Sequence, residues 1–111
     1  MKKFKIKQDD TKPYLSVTVK QDGTVVDLSN VTSVKFNMIT ADNSRTQKVN
    51  STGEVVGDGT TGVIRYKWDA DDTDTPGEYW GEFQMTWNTG EIQSLPEDDG
   101  LKITVTEDYG D

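Results

Sequence analysis

The chain has no cysteine and no histidine. Without cysteine there is no disulfide to staple the fold and no thiolate for chemistry, which fits assembly in a reducing cytoplasm. Without histidine as well, the commonest general base is missing, and a nucleophile triad in its usual form is excluded. Long apolar runs are absent too: none approaches the roughly 18–20 residues that cross a bilayer, so no membrane partner is expected. The opening Met1-Lys2-Lys3-Phe4-Lys5-Ile6-Lys7 has the basic start of a secretory signal but lacks the apolar stretch that must follow, and a short strand with basic edges is predicted instead of a Sec signal. Basic residues are outnumbered, 12 Lys and Arg against 20 Asp and Glu, for a formal net charge of −8 that repels a phosphate backbone. Nucleic acid is therefore not an expected partner. Hydrophobic residues make up only 32% of the chain, yet three Trp, four Tyr and three Phe, with well-spaced Val, Ile and Leu, keep it out of the disordered class. A length of 111 residues predicts a single domain over 1–111 with one core.

What is present is organised around Pro76 to Trp87. A turn at Pro76-Gly77 opens a stretch in which Tyr79, Gly81, Phe83, Met85 and Trp87 alternate with Trp80, Glu82, Gln84 and Thr86. The side-chain period of a strand is 2, so the first set shares one face and the second the other. Burying Tyr79, Phe83 and Met85 contributes about 1.5–3 kcal/mol each, which predicts a central strand whose opposite wall the other strands supply.

The same alternation recurs along the chain. Phe4 and Ile6 mark an opening strand, broken by Gln8 to Pro13. Leu15, Val17 and Val19 form the inner face of Tyr14–Lys20, and Asp22-Gly23 then signals a type I′ hairpin turn. Val34, Phe36 and Met38, with Ile39 beside them, mark the next strand, whose wet face carries Lys35 and Asn37. Ala41 to Ser44 turns the chain into a weak edge strand at Thr46–Asn50. Ser51–Gly62, rich in glycine, reads as a mobile loop or bulged hairpin. Ile64, Tyr66 and Trp68 then share a face, Asp69–Thr75 is an acidic loop, Asn88-Thr89-Gly90 a tight turn, Glu91–Leu95 a return strand, Pro96–Gly100 a loop, and Leu101, Ile103 and Val105 close the sheet. The acidic runs Glu97-Asp98-Asp99 and Glu107 to Asp111 read as solvated loop and tail. No helical period is sustained, and turns recur about every 8–12 residues, the spacing of sandwich strands. The fold predicted is all-β, an immunoglobulin-like antiparallel β-sandwich of seven to nine strands, with a closed barrel as the competing architecture.

Three constellations bear on chemistry. Glu78 and Glu82 are a carboxylate pair on the wet face of the central strand, but same-face residues four apart lie about 13 Å from each other, beyond the roughly 5–9.5 Å that glycosidic carboxylates use. They are ordinary solvation, and no enzyme is expected. The loop Asp69-Ala70-Asp71-Asp72-Thr73-Asp74 invites a calcium reading, yet its sixth position is Asp74 where the EF-hand needs glycine, and its twelfth is Trp80 where a bidentate Glu belongs. Polar turns and Asx caps explain it better, and no metal or cofactor is expected. Trp80 is the oddity, a large aromatic on the wet face. With Gly81 and Trp87, or with Trp68 if the strands are neighbours, it would form a platform for a protein or a sugar; the structural alternative is that it packs under the loop Ser51–Gly62. The candidate partner-binding residues are Trp80, Trp87 and Glu82, and the Thr46–Asn50 edge offers strand addition as a second means of joining a neighbour.

Several of these stretches together carry a family resemblance. Phe4-Lys5-Ile6-Lys7-Gln8-Asp9-Asp10-Thr11-Lys12-Pro13, Asp22-Gly23 with Val26-Asp27-Leu28, Val31 to Met38, Gly62-Val63-Ile64-Arg65-Tyr66-Lys67-Trp68, Asp72-Thr73 and Gly77-Glu78-Tyr79 leading to Glu82-Phe83 occur in an order that resembles the N-terminal domain of the phage baseplate upper protein. The resemblance spans nearly the whole chain. It implies an immunoglobulin-like sandwich in a tailed-phage or prophage virion, a non-enzymatic module that docks on tail, baseplate or capsid. Other virion proteins are the implied partners, with assembly in the host cytoplasm and self-association into a homo-oligomer as a further option. The sequence has no long extension after the domain, which favours an accessory virion protein or a domain cut from a longer one over a baseplate linker. A module that binds a host-surface glycan through Trp80 is the second reading, and a calcium-dependent adhesion module the third.

Overall fold

The computed structural model describes residues 2–95 and 100–109, so all but Gly100 of the expected loop Pro96–Gly100, with its acidic run Glu97-Asp98-Asp99, and the tail end, Gly110 and Asp111, lie outside the described residues. In chain order the strands are β1 (Lys2–Lys7), β2 (Leu15–Thr18), β3 (Lys20–Gln21), β4 (Thr24–Val25), β5 (Val31–Thr40), β6 (Gln47–Thr52), β7 (Glu54–Val55), β8 (Val63–Tyr66), β9 (Gly77–Trp87), β10 (Ile92–Leu95) and β11 (Leu101–Thr106). A 3-10 turn, Ala70–Thr73, precedes β9. The architecture is all-β. Eleven strands are described where seven to nine were expected, because three elements are only two residues long.

The larger sheet runs β1-β11-β9-β5-β6, with β10 continuing the β11 side of β9. Its central member is β9, the strand predicted from the alternation, and Tyr79, Gly81, Phe83 and Met85 are buried on one side of it. The smaller sheet runs β2-β8-β7, and β3 pairs with β4 as a separate hairpin. The expectation of a purely antiparallel sheet is corrected at one place. β1 runs parallel to β11, with Phe4 opposite Ile103 and Ile6 opposite Val105. Strand polarity leaves no trace in the alternation of a single strand, because both pairings put every second residue inward.

The two sheets meet through aromatic rings. Phe36 of β5 stacks on Tyr66 of β8 with centroids 4.6 Å apart, meets Trp68 edge-on at 5.7 Å and Phe83 of β9 at 5.0 Å. Phe4 stacks on Trp68 at 5.9 Å, so β1 is tied to the residue that follows β8. Such offset and edge-to-face pairs add about 0.5–1.5 kcal/mol each beyond the area they bury. Around them close Leu15, Ile64, Met38, Met85, Leu101 and Ile103, all fully buried.

Three local expectations can be followed into the structure, and only the second is corrected outright. Asp22 and Gly23 both take positive φ, +52° and +81°, as a type I′ turn requires. The strand expected at Tyr14–Lys20 is split, because Val19 turns inward and donates its N–H to the Gly62 carbonyl while Lys20 begins the β3–β4 hairpin. Ser51–Gly62 is not a free loop: Glu54 and Val55 pair antiparallel with Arg65 and Ile64 of β8, so of the two alternatives the hairpin holds. The chain leaves the larger sheet after β6 and enters the smaller one at β7, then makes a compact turn that accepts the Leu28 N–H at Gly59 and the Val19 N–H at Gly62. Gly59, at φ +90°, comes so close to Leu28 that a Cβ would fall 2.7 Å from its carbonyl carbon. β6 is the free edge that was expected, since nothing pairs with its outer side among the described residues.

Candidate functional site

The strand order puts the outer face of the larger sheet in view. On β9 that face carries Glu78, Trp80, Glu82 and Gln84, alternating with the buried set. Register places Ile39 of β5 on one side of Trp80 and Lys102 of β11 on the other, with Lys3 of β1 beyond Lys102. Directly opposed residues on a sheet face have Cβ atoms about 4.5–5.5 Å apart, so Ile39, Trp80, Lys102 and Lys3 form one row across four strands. The next row along β9 pairs Glu82 with Asn37.

These side chains touch. The Lys102 ammonium sits 5.8 Å from the Trp80 ring centroid and 3.9 Å from the Glu78 carboxylate. Glu78 also accepts the Thr104 hydroxyl at 2.7 Å. Gly100 lies against the Trp80 ring, where a Cβ would be in ordinary contact at 3.5 Å. Trp80, Ile39, Asn37, Glu82 and Gly100 border a hollow of about 250 Å³ floored by the backbone of Gly81. Gly81 is small because of what lies behind it: a Cβ there would come within 2.6 Å of Ile103 and 3.2 Å of Phe36.

Of the sequence candidates, the structure brings Trp80 and Glu82 together at this hollow. Trp87 is at the other end of β9, about 23 Å along the strand, where it packs against the core and borders a shallow hollow with Glu91, Ile92 and Gln93. Ile92 there is 63% exposed. Trp68 is only 4% exposed and belongs to the core, so it is no part of a surface platform; its indole N–H meets no acceptor among the described residues. Trp80 does not pack under Ser51–Gly62: Ser51 and Thr52 end β6 at the edge of the larger sheet, and from Glu54 on the segment lies with the smaller sheet and the β3–β4 hairpin. Sequence reasoning missed Ile39, Lys102, Gly100 and Lys3. Ile39 was detectable, being out of phase with Val34, Phe36 and Met38 and hence on the outer face. The others depend on which strands are neighbours.

The acidic loop turns its groups to its own framework. The Asp72 carboxylate accepts the Tyr66 hydroxyl at 2.5 Å and the Asp69 N–H at 2.9 Å, and Asp74 pairs with Lys48 at 2.5 Å. The buried Thr73 hydroxyl donates to the Asp10 carbonyl. Among the described residues no three acidic side chains converge as metal ligands. Burial first, and then the hydrogen bond to Asp72, push the Tyr66 hydroxyl well above its usual range. A larger hollow, about 430 Å³, lies by Thr40, Asp42 and Pro76. Both of its carboxylates have partners: hydrogen bonds from the Ser44 and Thr40 hydroxyls, foremost, hold the Asp42 carboxyl below its usual range, and Glu78 accepts the Thr104 hydroxyl. The Trp80 hollow is smaller, but it is the one bordered by a half-buried tryptophan and a half-buried isoleucine, Ile39.

Comparison with known proteins gives three results. The family model described as the BppU N-terminal domain matches residues 2–96, which hold ten of the eleven strands. Comparison with curated proteins gives no match by sequence. Among solved structures, the crystal structure of CopC from Methylosinus trichosporium OB3b is similar at a TM-score of 0.55 and 11% identity, over 96% of this chain and 86% of that one. At that identity the likeness is one of fold alone. β11, the strand that joins β1 to β9, lies beyond the residues matched by the family model.

Proposed function

Because the chain belongs to the BppU N-terminal domain family, a family of phage baseplate structural domains, we propose that it is a non-enzymatic docking module of a tailed-phage virion. In this reading all 111 residues form one immunoglobulin-like sandwich, made in the host cytoplasm and carried into the particle by contact with a neighbouring virion protein. The contact is made by the outer face around Trp80 and Glu82, with Trp87 and Ile92 as a second patch at the other end of β9. The observation that carries it is the half-buried Trp80, set among Ile39, Lys102 and Glu82 on a sheet face that no other element covers among the described residues. A large aromatic with an exposed rim is the commonest kind of interface anchor. Catalysis is disfavoured by the chain's lack of His and Cys and by the wide spacing of Glu78 and Glu82.

A second reading, a surface-glycan module, is favoured by one feature: Asn37 and Glu82 place hydrogen-bonding groups beside an aromatic ring. The two part on one experiment. Phage particles assembled with Trp80→Thr in place of the native chain are purified, and the protein is quantified in them by mass spectrometry. Docking predicts a folded but absent protein, whereas normal incorporation with lost adsorption to host cells would move the function to the glycan reading.

A further inference from the structure

We infer that the Trp80 face takes an acidic protein segment that places one large apolar side chain in the hollow and a carboxylate over Lys102 and Lys3. The inference rests on the docking reading and adds the chemistry of the partner. Its first support is charge placement. The chain carries −8 overall, yet four of its twelve basic residues fall in the first seven positions, and Lys3, Lys5 and Lys7 are exposed along β1. Register carries that positive edge inward through Lys102 to the aromatic ring. At physiological salt the Debye length is about 8 Å, so a partner carboxylate over this row feels Lys3 and Lys102 while more distant acidic loops are screened.

The second support is size. A hollow of about 250 Å³ falls below the roughly 300–1,000 Å³ of sites that enclose small-molecule ligands, but it admits a leucine or phenylalanine side chain against Trp80 and Ile39. The third is polarity. Lys102 is shared by Glu78 at 3.9 Å and the Trp80 ring, and an incoming carboxylate competes with Glu78, which keeps its hydrogen bond from Thr104. Glu82, on the far wall, repels a carboxylate. Glu82 is the one acidic residue that borders the hollow, and it sets the orientation: acidic end towards Lys102 and β1, neutral or donor end towards Glu82.

The test uses the full chain, labelled with 15N, and the capped peptide Asp-Asp-Phe-Ser-Gly, with Lys-Lys-Phe-Ser-Gly as its control. The acidic peptide is expected to shift the Trp80 indole resonance and the amides of Lys3, Ile39 and Lys102 at about millimolar concentration, a binding energy near 4 kcal/mol, and to bind more weakly as salt is raised. Trp80→Thr is expected to weaken binding about 30-fold. The double variant Lys3→Glu with Lys102→Glu, which leaves the aromatic in place, is expected to prefer the lysine peptide. Shifts that map elsewhere, equal binding of both peptides, or binding of glucose, galactose or N-acetylglucosamine at Trp80 with no peptide response would overturn the inference. A virion partner that contacts Trp80 through a neutral or basic segment would overturn it too, while leaving the docking function standing.

Discussion

The two faces of β9 are built from alternate residues of one eleven-residue strand, yet they do opposite work. On the inner face Tyr79, Phe83 and Met85 are buried, Gly81 makes room for Ile103 and Phe36, and the Tyr79 hydroxyl donates to the Thr75 carbonyl at 2.6 Å. On the outer face Trp80 has neighbours on the two flanking strands, β5 and β11, but no lid among the described residues. Burial of aromatic surface holds the inner side together, whereas on the outer side Trp80 stays half-exposed and, in the proposed docking role, is what a partner covers. The lesson is that stability and, in the proposed docking role, recognition are separable by residue parity.

That separation can be broken or sharpened by substitution. Phe36→Ala removes the ring that meets Tyr66, Trp68 and Phe83 and should cost about 3–5 kcal/mol, read as a large fall in the urea midpoint. Gly59→Ala should cost about 1–3 kcal/mol, since alanine is strained at φ +90° and its Cβ meets the Leu28 backbone; a thermal midpoint equal to that of the native chain would show that the segment is not packed as described. Tyr66→Phe loses the bond to Asp72 and should cost about 1 kcal/mol at neutral pH. Its pH dependence has a definite sign. The folded state keeps the Tyr66 proton where the unfolded chain loses it, so this stability is full below about pH 10 and lost as pH rises above it. The phenylalanine variant should show a shallower alkaline decline. Trp80→Thr should change stability least, by about 0.5 kcal/mol or less, measured by the same denaturant titration.

The inner face was legible from sequence because burial follows a period of 2 and can be read one strand at a time. Phe4, Ile6, Leu15, Ile64, Tyr66, Trp68, Leu101 and Ile103 all fall on the expected side. The Asp22-Gly23 turn was legible because positive φ restricts the residue types that adopt it. The outer face was legible only in part. Trp80 and Glu82 could be placed on it by parity, but Lys102 and Lys3 reach Trp80 only through the β11–β9 and β1–β11 pairings, which join residues far apart in the chain. Ser51–Gly62, expected as a mobile loop or bulged hairpin, was legible as far as its hairpin pairing with β8, but its packing was not, for a similar reason. Its glycines allow close approach to Leu28 and Val26, and local sequence names the freedom without naming the contact.

Photo-crosslinking in assembled phage particles tests the division between the two faces most directly. A photoreactive phenylalanine analogue is placed at position 80, with position 24 on the β3–β4 hairpin as control, and the products are identified by mass spectrometry. A covalent product between position 80 and another virion protein, with none from position 24, is the predicted result. Particles that contain the protein but give no product at position 80 would contradict it.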